Sequence, residues 1–317
     1  MKITLFEVPK SEQAVFLELL AGIDISLNEE KLSESNINEA KDADVVCVFT
    51  NSVITKNVID LLPNLKAIVT RSTGFDHIDV AYASTKGIKV CNVPAYGSET
   101  VAEFTFALIL TLSRKVREAT SGLKENGDYT VPVNSQGFDL NGKTLGVVGT
   151  GKIGKNVIRI ARGFSMNVVA YDLYPDLAFA KENNFIYANL PDILAQADIV
   201  TLHAPYTKEN HHLINKENIS SFKKGAYLIN TARGELVETE ALVLGLENGT
   251  IAGAGLDVLE GERLIKKGDT IPMLNMPNVV MTPHIAFNTK EAEMRIMQTS
   301  VDNIKNFISG TPINLVK

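Results

Sequence analysis

Residues 145–172 read LGVVGTGKIGKNVIRIARGFSMNVVAYD, with Gly149, Gly151 and Gly154 in the spacing G-x-G-x-x-G. The apolar run KTLGVV predicts a strand before the glycines, and KIGKNVIRIARGF predicts a helix after them. In that setting Gly149 permits a tight turn, Gly151 lets the backbone approach a pyrophosphate, and Gly154 lets helix and strand pack closely. The first helical N–H groups and the positive dipole end then face the phosphates. A second strand, NVVAYD, ends in Asp172, 18 residues after Gly154. A carboxylate there binds the adenosine ribose hydroxyls and repels the extra phosphate of NADP, so NAD is the expected cofactor. The glycine spacing alone is a weak signal. The strand, the helix and the acid around it make it specific.

Further apolar runs repeat the strand signal on both sides: KITLF, ADVVCVF, LKAIVT and GIKVCNV before the glycines, ADIVTLHAP, GAYLINTA and AGAGLDV after them. Several are apolar on successive residues, as strands covered on both faces must be. Helix-forming segments alternate with them, the pattern of a doubly wound parallel α/β sheet. With 317 residues there is room for two such domains. The longest helical candidate, SETVAEFTFALILTLSRKVREATSGL, starts near Ser98 and has a length suited to a connector between them. The polar, turn-rich segment 124–143 reads as a surface arm, and NTKEAEMRIMQTSVDNIKNFISG closes the chain as a helix.

Hydrophobic residues make up 45% of the chain and charged ones 21%, with a net charge of −6. This is the balance of a soluble globular protein and argues against a nucleic-acid partner. Nothing approaches the apolar length of a membrane span or a signal peptide, so a cytoplasmic protein is expected. Cys47 and Cys91 both lie in apolar runs and read as buried thiols.

Three predicted strand ends carry polar residues that need a reason. Arg233 follows LINTA; on the ligand side of an open α/β sheet an arginine holds a carboxylate through two parallel hydrogen bonds. Asp257 ends AGAGLDV, with Glu260 and Glu262 just beyond. His284 follows NVVMTP, and a histidine acting as acid or base needs an orienting carboxylate such as Glu262. The other histidines attract less: His77 reads as a loop residue and His203 as a packing or lining residue. His211 and His212 are adjacent, so their side chains are expected to diverge, and no metal site is expected.

With these residues the chain resembles the D-isomer-specific 2-hydroxyacid dehydrogenases, and most of all their D-lactate dehydrogenase branch. The likeness spans RSTGFDHID, NVPAYGSETVAEFTFALIL, GTGKIG, HAPYTKENHHLIN, INTARGELVETEAL, GLDVLEGE and TPHIAFNT, in family order. It implies a Rossmann NAD domain over 99–284 and a flavodoxin-like substrate domain over 1–98 and 285–317, with the active site in a cleft between them and a homodimer built partly by the segment after Ser98. It also implies that Arg233 binds the substrate carboxylate, that His284 exchanges a proton with the keto oxygen, and that Glu262 supports His284. Backbone N–H groups of Thr73 and Gly74 would hold the carboxylate's other side, near Tyr96, and Phe287 would line the pocket. Lys152 and Ile153 match the pyrophosphate loop; Ala204, Pro205 and Asn210 line the cofactor; Thr231, Ala232 and Asp257 match nicotinamide contacts. A pocket tyrosine of lactate-type members aligns with Asn51 here, which makes the pocket more polar.

The leading expectation is therefore NADH-dependent reduction of a small 2-keto acid, pyruvate first. Glyoxylate, hydroxypyruvate or phosphoglycerate chemistry on the same scaffold is the alternative. A phosphorylated substrate would want extra cations, and only Arg71 offers one. A corepressor-like NAD(H)-sensing protein is the reading from another class; the short C-terminal tail weighs against it. A formate-type dehydrogenase would need different residues before the histidine than NVVMTPH.

Overall fold

The computed structural model describes residues 1–127, 129–131 and 135–316. The chain divides into two units, Met1–Tyr96 with Thr289–Lys317, and Gly97–Asn288. Phe287 thus falls in the second unit, whereas the expected boundary at 284 put it in the first.

The first unit holds β1 (Lys2–Leu5), β2 (Asp24–Leu27), β3 (Val45–Val48), β4 (Ala67–Thr70) and β5 (Lys89–Cys91). They form one parallel sheet in the order β2-β1-β3-β4-β5, the flavodoxin-like winding. Every residue of β3 and β4 is buried, because apolar side chains cover both faces. Phe6, Val46, Ile68 and Val90 pack on one side. Leu5, Val45 and Val69 pack on the other, against Met297, Val301 and Ile304 of the C-terminal helix Lys290–Ile308. Cys47 and Cys91 are free, buried thiols. Burial pushes them up, to about 12 and about 11 respectively, so neither is a thiolate at neutral pH.

The second unit holds β6 (Thr144–Val148), β7 (Asn167–Tyr171), β8 (Ile186–Tyr187), β9 (Ile199–Leu202), β10 (Ala226–Asn230), β11 (Ile251–Leu256) and β12 (Val279–Met281). Their order is β12-β11-β10-β9-β6-β7-β8, all parallel. The chain winds outward one way from β6 and the other way from β9. The switch in direction lies between these two strands, where an open α/β sheet leaves a crevice at its carboxyl ends.

Three expectations change. β2 and β8 were not read from the sequence. The long helix is two helices, Ser98–Ser113 and Val116–Asn126, broken at Lys115 with its φ at 55°. Both lie in the second unit and open it. Of the expected arm, Asp128 and residues 132–134 lie outside the described residues. Its later part packs back onto the unit: Phe138 meets the Tyr227 ring at 5.0 Å, and Leu140 is buried.

Candidate active site

The glycine loop joins β6 to the helix Lys152–Gly163 at the switch point. Gly149 has φ of 94°, and a Cβ there would stand 2.5 Å from the Ala204 amide nitrogen of the loop after β9. A Cβ on Gly154 would stand 2.0 Å from the Gly149 carbonyl oxygen. A Cβ on Gly151 would point into open space, which is the room a pyrophosphate needs against the helix start. Lys152 is exposed and Ile153 packs on the core. Asp172, at the end of β7, accepts from the Thr150 amide at 2.6 Å, the Thr150 hydroxyl at 2.9 Å and the Tyr174 amide at 2.9 Å. Burial works to raise its pKa, but these donors outweigh it and hold the carboxyl below its ordinary value. The residues thus fit NAD: an open glycine cradle, then a fixed, ionised acid one strand away.

Just after β9, His203 bonds Thr201 through Nε2 at 2.9 Å. The residue keeps some exposed surface, but its Nδ1 is buried with no partner among the described residues. Burial pushes its pKa down to about 3, so the ring is neutral. Asn210 uses its side chain on its own loop, donating to the Pro205 carbonyl and accepting from the Thr207 amide, each at 2.7 Å. Its side chain is therefore committed to shaping its own loop.

Arg233, Glu262 and His284 come together around the ends of β10, β11 and β12. Asn230 folds the Arg233 turn by accepting from the Ala232 amide and donating to the Arg233 carbonyl. Thr231 bonds Thr105 at 3.0 Å. Gly234 lies so close to the next segment that a Cβ would stand 2.1 Å from the Leu259 carbonyl carbon. His284 Nδ1 and Glu262 Oε1 are 2.5 Å apart. Burial opposes ionisation of Glu262, but the bond and charge of His284, with Arg233 nearby, leave its pKa lowered. The carboxylate engages Nδ1 and so orients the ring.

Asp257 is 1% exposed. It accepts from the Thr282 hydroxyl at 2.6 Å, the Ile285 amide at 2.9 Å and the Ala286 amide at 2.8 Å. It thus holds the turn that carries His284, a role the sequence did not reveal. Asn230, Thr150 and Gly234 were missed too; Gly234 alone left a signal, as a glycine directly after Arg233.

In the first unit, the Thr73 carbonyl accepts from Asn92 and the Gly74 carbonyl from Ser72. The N–H groups of Thr73 and Gly74 have no acceptor among the described residues. Tyr96 is half-buried, and its carbonyl accepts from Arg295 at 2.5 Å. His77 does lie in a turn, yet it is buried and bonded to Thr70 at 3.1 Å. His211 and His212 do not diverge. With φ of 53° at His212, the rings stack at 3.8 Å, and His212 Nε2 lies 2.6 Å from Glu260 Oε1.

Among the described residues, no helix is long and apolar enough to cross a membrane. Residues 106–286 match the family of the D-isomer specific 2-hydroxyacid dehydrogenase NAD binding domain. A D-lactate dehydrogenase of Aquifex aeolicus, solved with NAD and lactic acid, superposes with a TM-score of 0.90 at 37% identity, over 98% of this chain and 96% of that one. The 2-hydroxyacid dehydrogenase A of Aspergillus oryzae is 37% identical over 97% of this chain and 92% of its own. The glyoxylate reductase of Thermofilum pendens is 40% identical over 87% and 82%. With the glycine cradle and the Arg233–Glu262–His284 group, these likenesses establish that the chain is an NAD-binding member of the D-isomer specific 2-hydroxyacid dehydrogenase family.

Proposed function

We propose that this protein reduces a small 2-keto acid, pyruvate foremost, to the D-2-hydroxy acid, and that His284 is its general acid. The observation that carries the reading is the 2.5 Å His284–Glu262 pair beside the turn of Arg233. Bound NADH supplies the hydride. Arg233 holds the substrate carboxylate and draws charge from the keto oxygen. His284 Nε2 gives that oxygen a proton as the carbon gains the hydride, and takes it back in the reverse direction. Glu262 stabilises the protonated ring and fixes its orientation. The carboxylate-binding role of Thr73 and Gly74 is supported by their unpaired N–H groups. Those of Tyr96 and Phe287 rest on the family resemblance, as do cofactor contacts from Lys152, Thr231 and Ala232.

Arg71 favours an unphosphorylated substrate. It is buried, bonds Glu12 at 2.9 Å and the carbonyls of Phe6 and Glu7, and stacks on Phe16 and Phe49, so it is already neutralised. Asn51 and the likeness to a glyoxylate reductase favour glyoxylate or hydroxypyruvate as the second reading. A cytoplasmic homodimer completes the proposal; exposed Val116, Leu123, Tyr129 and Val131, all after Ser98, supply apolar surface for a dimer contact.

The test follows NADH absorbance with pyruvate, glyoxylate, hydroxypyruvate and oxaloacetate, with the chirality of the product determined. Fastest turnover with pyruvate, yielding D-lactate, is the expected result. A clear preference for glyoxylate or hydroxypyruvate moves the assignment to the second reading. Tight NADH binding without oxidation by any of the four overturns the enzyme and favours the sensor.

A further inference from the structure

We propose that His211, His212 and Glu260 form a binding site for a divalent cation of the zinc class, separate from the redox centre. One donor atom from each of the three residues lies within 4.8 Å of the others. Two imidazoles and a carboxylate suit zinc, cobalt(II) or nickel(II); calcium and magnesium prefer all-oxygen sets.

The backbone builds this grouping from two loops. His212, at φ of 53°, turns its ring back over that of His211, and its amide donates to the Glu235 carbonyl at 2.9 Å. Glu260 Oε2 accepts from the Thr239 hydroxyl at 3.0 Å, which leaves Oε1 facing His212 Nε2 at 2.6 Å. Carboxylate and ring are therefore aimed at one another by bonds made elsewhere, as hydrogen bonds to the far side of a ligand orient it toward a metal. His211 is exposed, and its ring lies edge-on to Tyr206.

Donors around a tetrahedral zinc, with bonds of about 2.0–2.1 Å, stand roughly 3.4 Å apart. Rotation of the exposed His211 ring closes the difference. The cation takes the place of the hydrogen bond between His212 Nε2 and Glu260, and the neutral ring binds it through Nε2 with its proton on Nδ1. Water fills the position that the three residues leave open. Occupancy would tie the loop after β9 to the turn after β11, the segments that carry Ala204 and Glu262.

The test uses the untagged full chain, stripped with chelator and titrated with Zn²⁺ by calorimetry and with Co²⁺ by visible absorption. One saturable site per chain, Co²⁺ d–d bands and a raised Tm with Zn²⁺ are expected. His211→Ala should weaken both metals by at least about tenfold while NADH binding stays unchanged. Glu260→Gln should do the same to the metals, and decides the matter if the first variant disturbs the fold. No saturable binding by the parent chain, or equal affinity in the folded variants, overturns the site.

Discussion

His284 sits at φ of 54°, a left-handed backbone that costs a non-glycine residue on the order of 1 kcal/mol or more. The surrounding bonds explain why it persists. The His284 amide donates to the Asp257 carbonyl at 2.8 Å, and the Asp257 carboxylate takes the next two amides. The ring is thereby set at the place where Glu262 meets it. His284→Ala should lower kcat about 10²- to 10⁴-fold, the usual worth of general acid–base catalysis, with the Kd for NADH, read by fluorescence titration, almost unchanged. Near-normal turnover would remove His284 from the chemistry. Asp257→Asn tests the support. Its carboxylate accepts three donors, and an amide there must turn its own N–H₂ toward at least one of them. Since Asp257 reaches the reaction through His284, we expect kcat to fall about tenfold or more with little change in KM for the keto acid. A fall in thermal stability with an unchanged kcat would make Asp257 a purely structural residue.

At the scale of the element, the glycine loop and the end of β7 act as one unit. Thr150, inside the glycine motif, donates twice to Asp172 and shares a 2.9 Å bond with the Tyr187 hydroxyl. The acid is thus held ionised before any ribose arrives. Asp172→Ala removes the repulsion against a 2′-phosphate, so the ratio of kcat/KM for NADH over NADPH should fall at least about tenfold; an unchanged ratio would assign the discrimination elsewhere. Gly154→Ala places a methyl 2.0 Å from a backbone oxygen and should lose NADH binding together with stability. The sequence made this element legible because strand, glycines, helix and acid are all local in the chain. It was silent where the cause is not local. β2 is half-exposed and β8 has only two residues, so neither shows a buried apolar run. The break at Lys115 carries no glycine or proline to mark it. The stacking of His211 on His212 depends on one dihedral angle. The commitment of Asp257 to the His284 turn joins residues 25 or more apart in sequence.

At the scale of the whole molecule, partly buried titratable groups set how stability responds to acid. Asp172, Asp198 and Glu262 all have lowered pKa values in the fold. Each contributes stability above its unfolded value, near 3.8 or 4.5, and loses it as the pH falls through the folded one. Their effect is confined to strongly acidic solution. His203 behaves differently. Burial lowers it from 6.5 to about 3, so between those values the unfolded chain binds a proton that the folded ring refuses. Stability of the second unit should therefore drop as the pH falls below about 6.5, with a slope approaching 1.4 kcal/mol per pH unit. That decline precedes the carboxylate losses by roughly two pH units. Denaturant unfolding of the cofactor-free protein at pH 7, 6 and 5 measures it, free of linkage to NADH. His203→Gln can keep a side-chain bond to Thr201 and has no titrating group, so its curve should be flatter by that slope over the same range. Parallel curves for the two proteins would mean that the His203 ring accepts a proton in the fold.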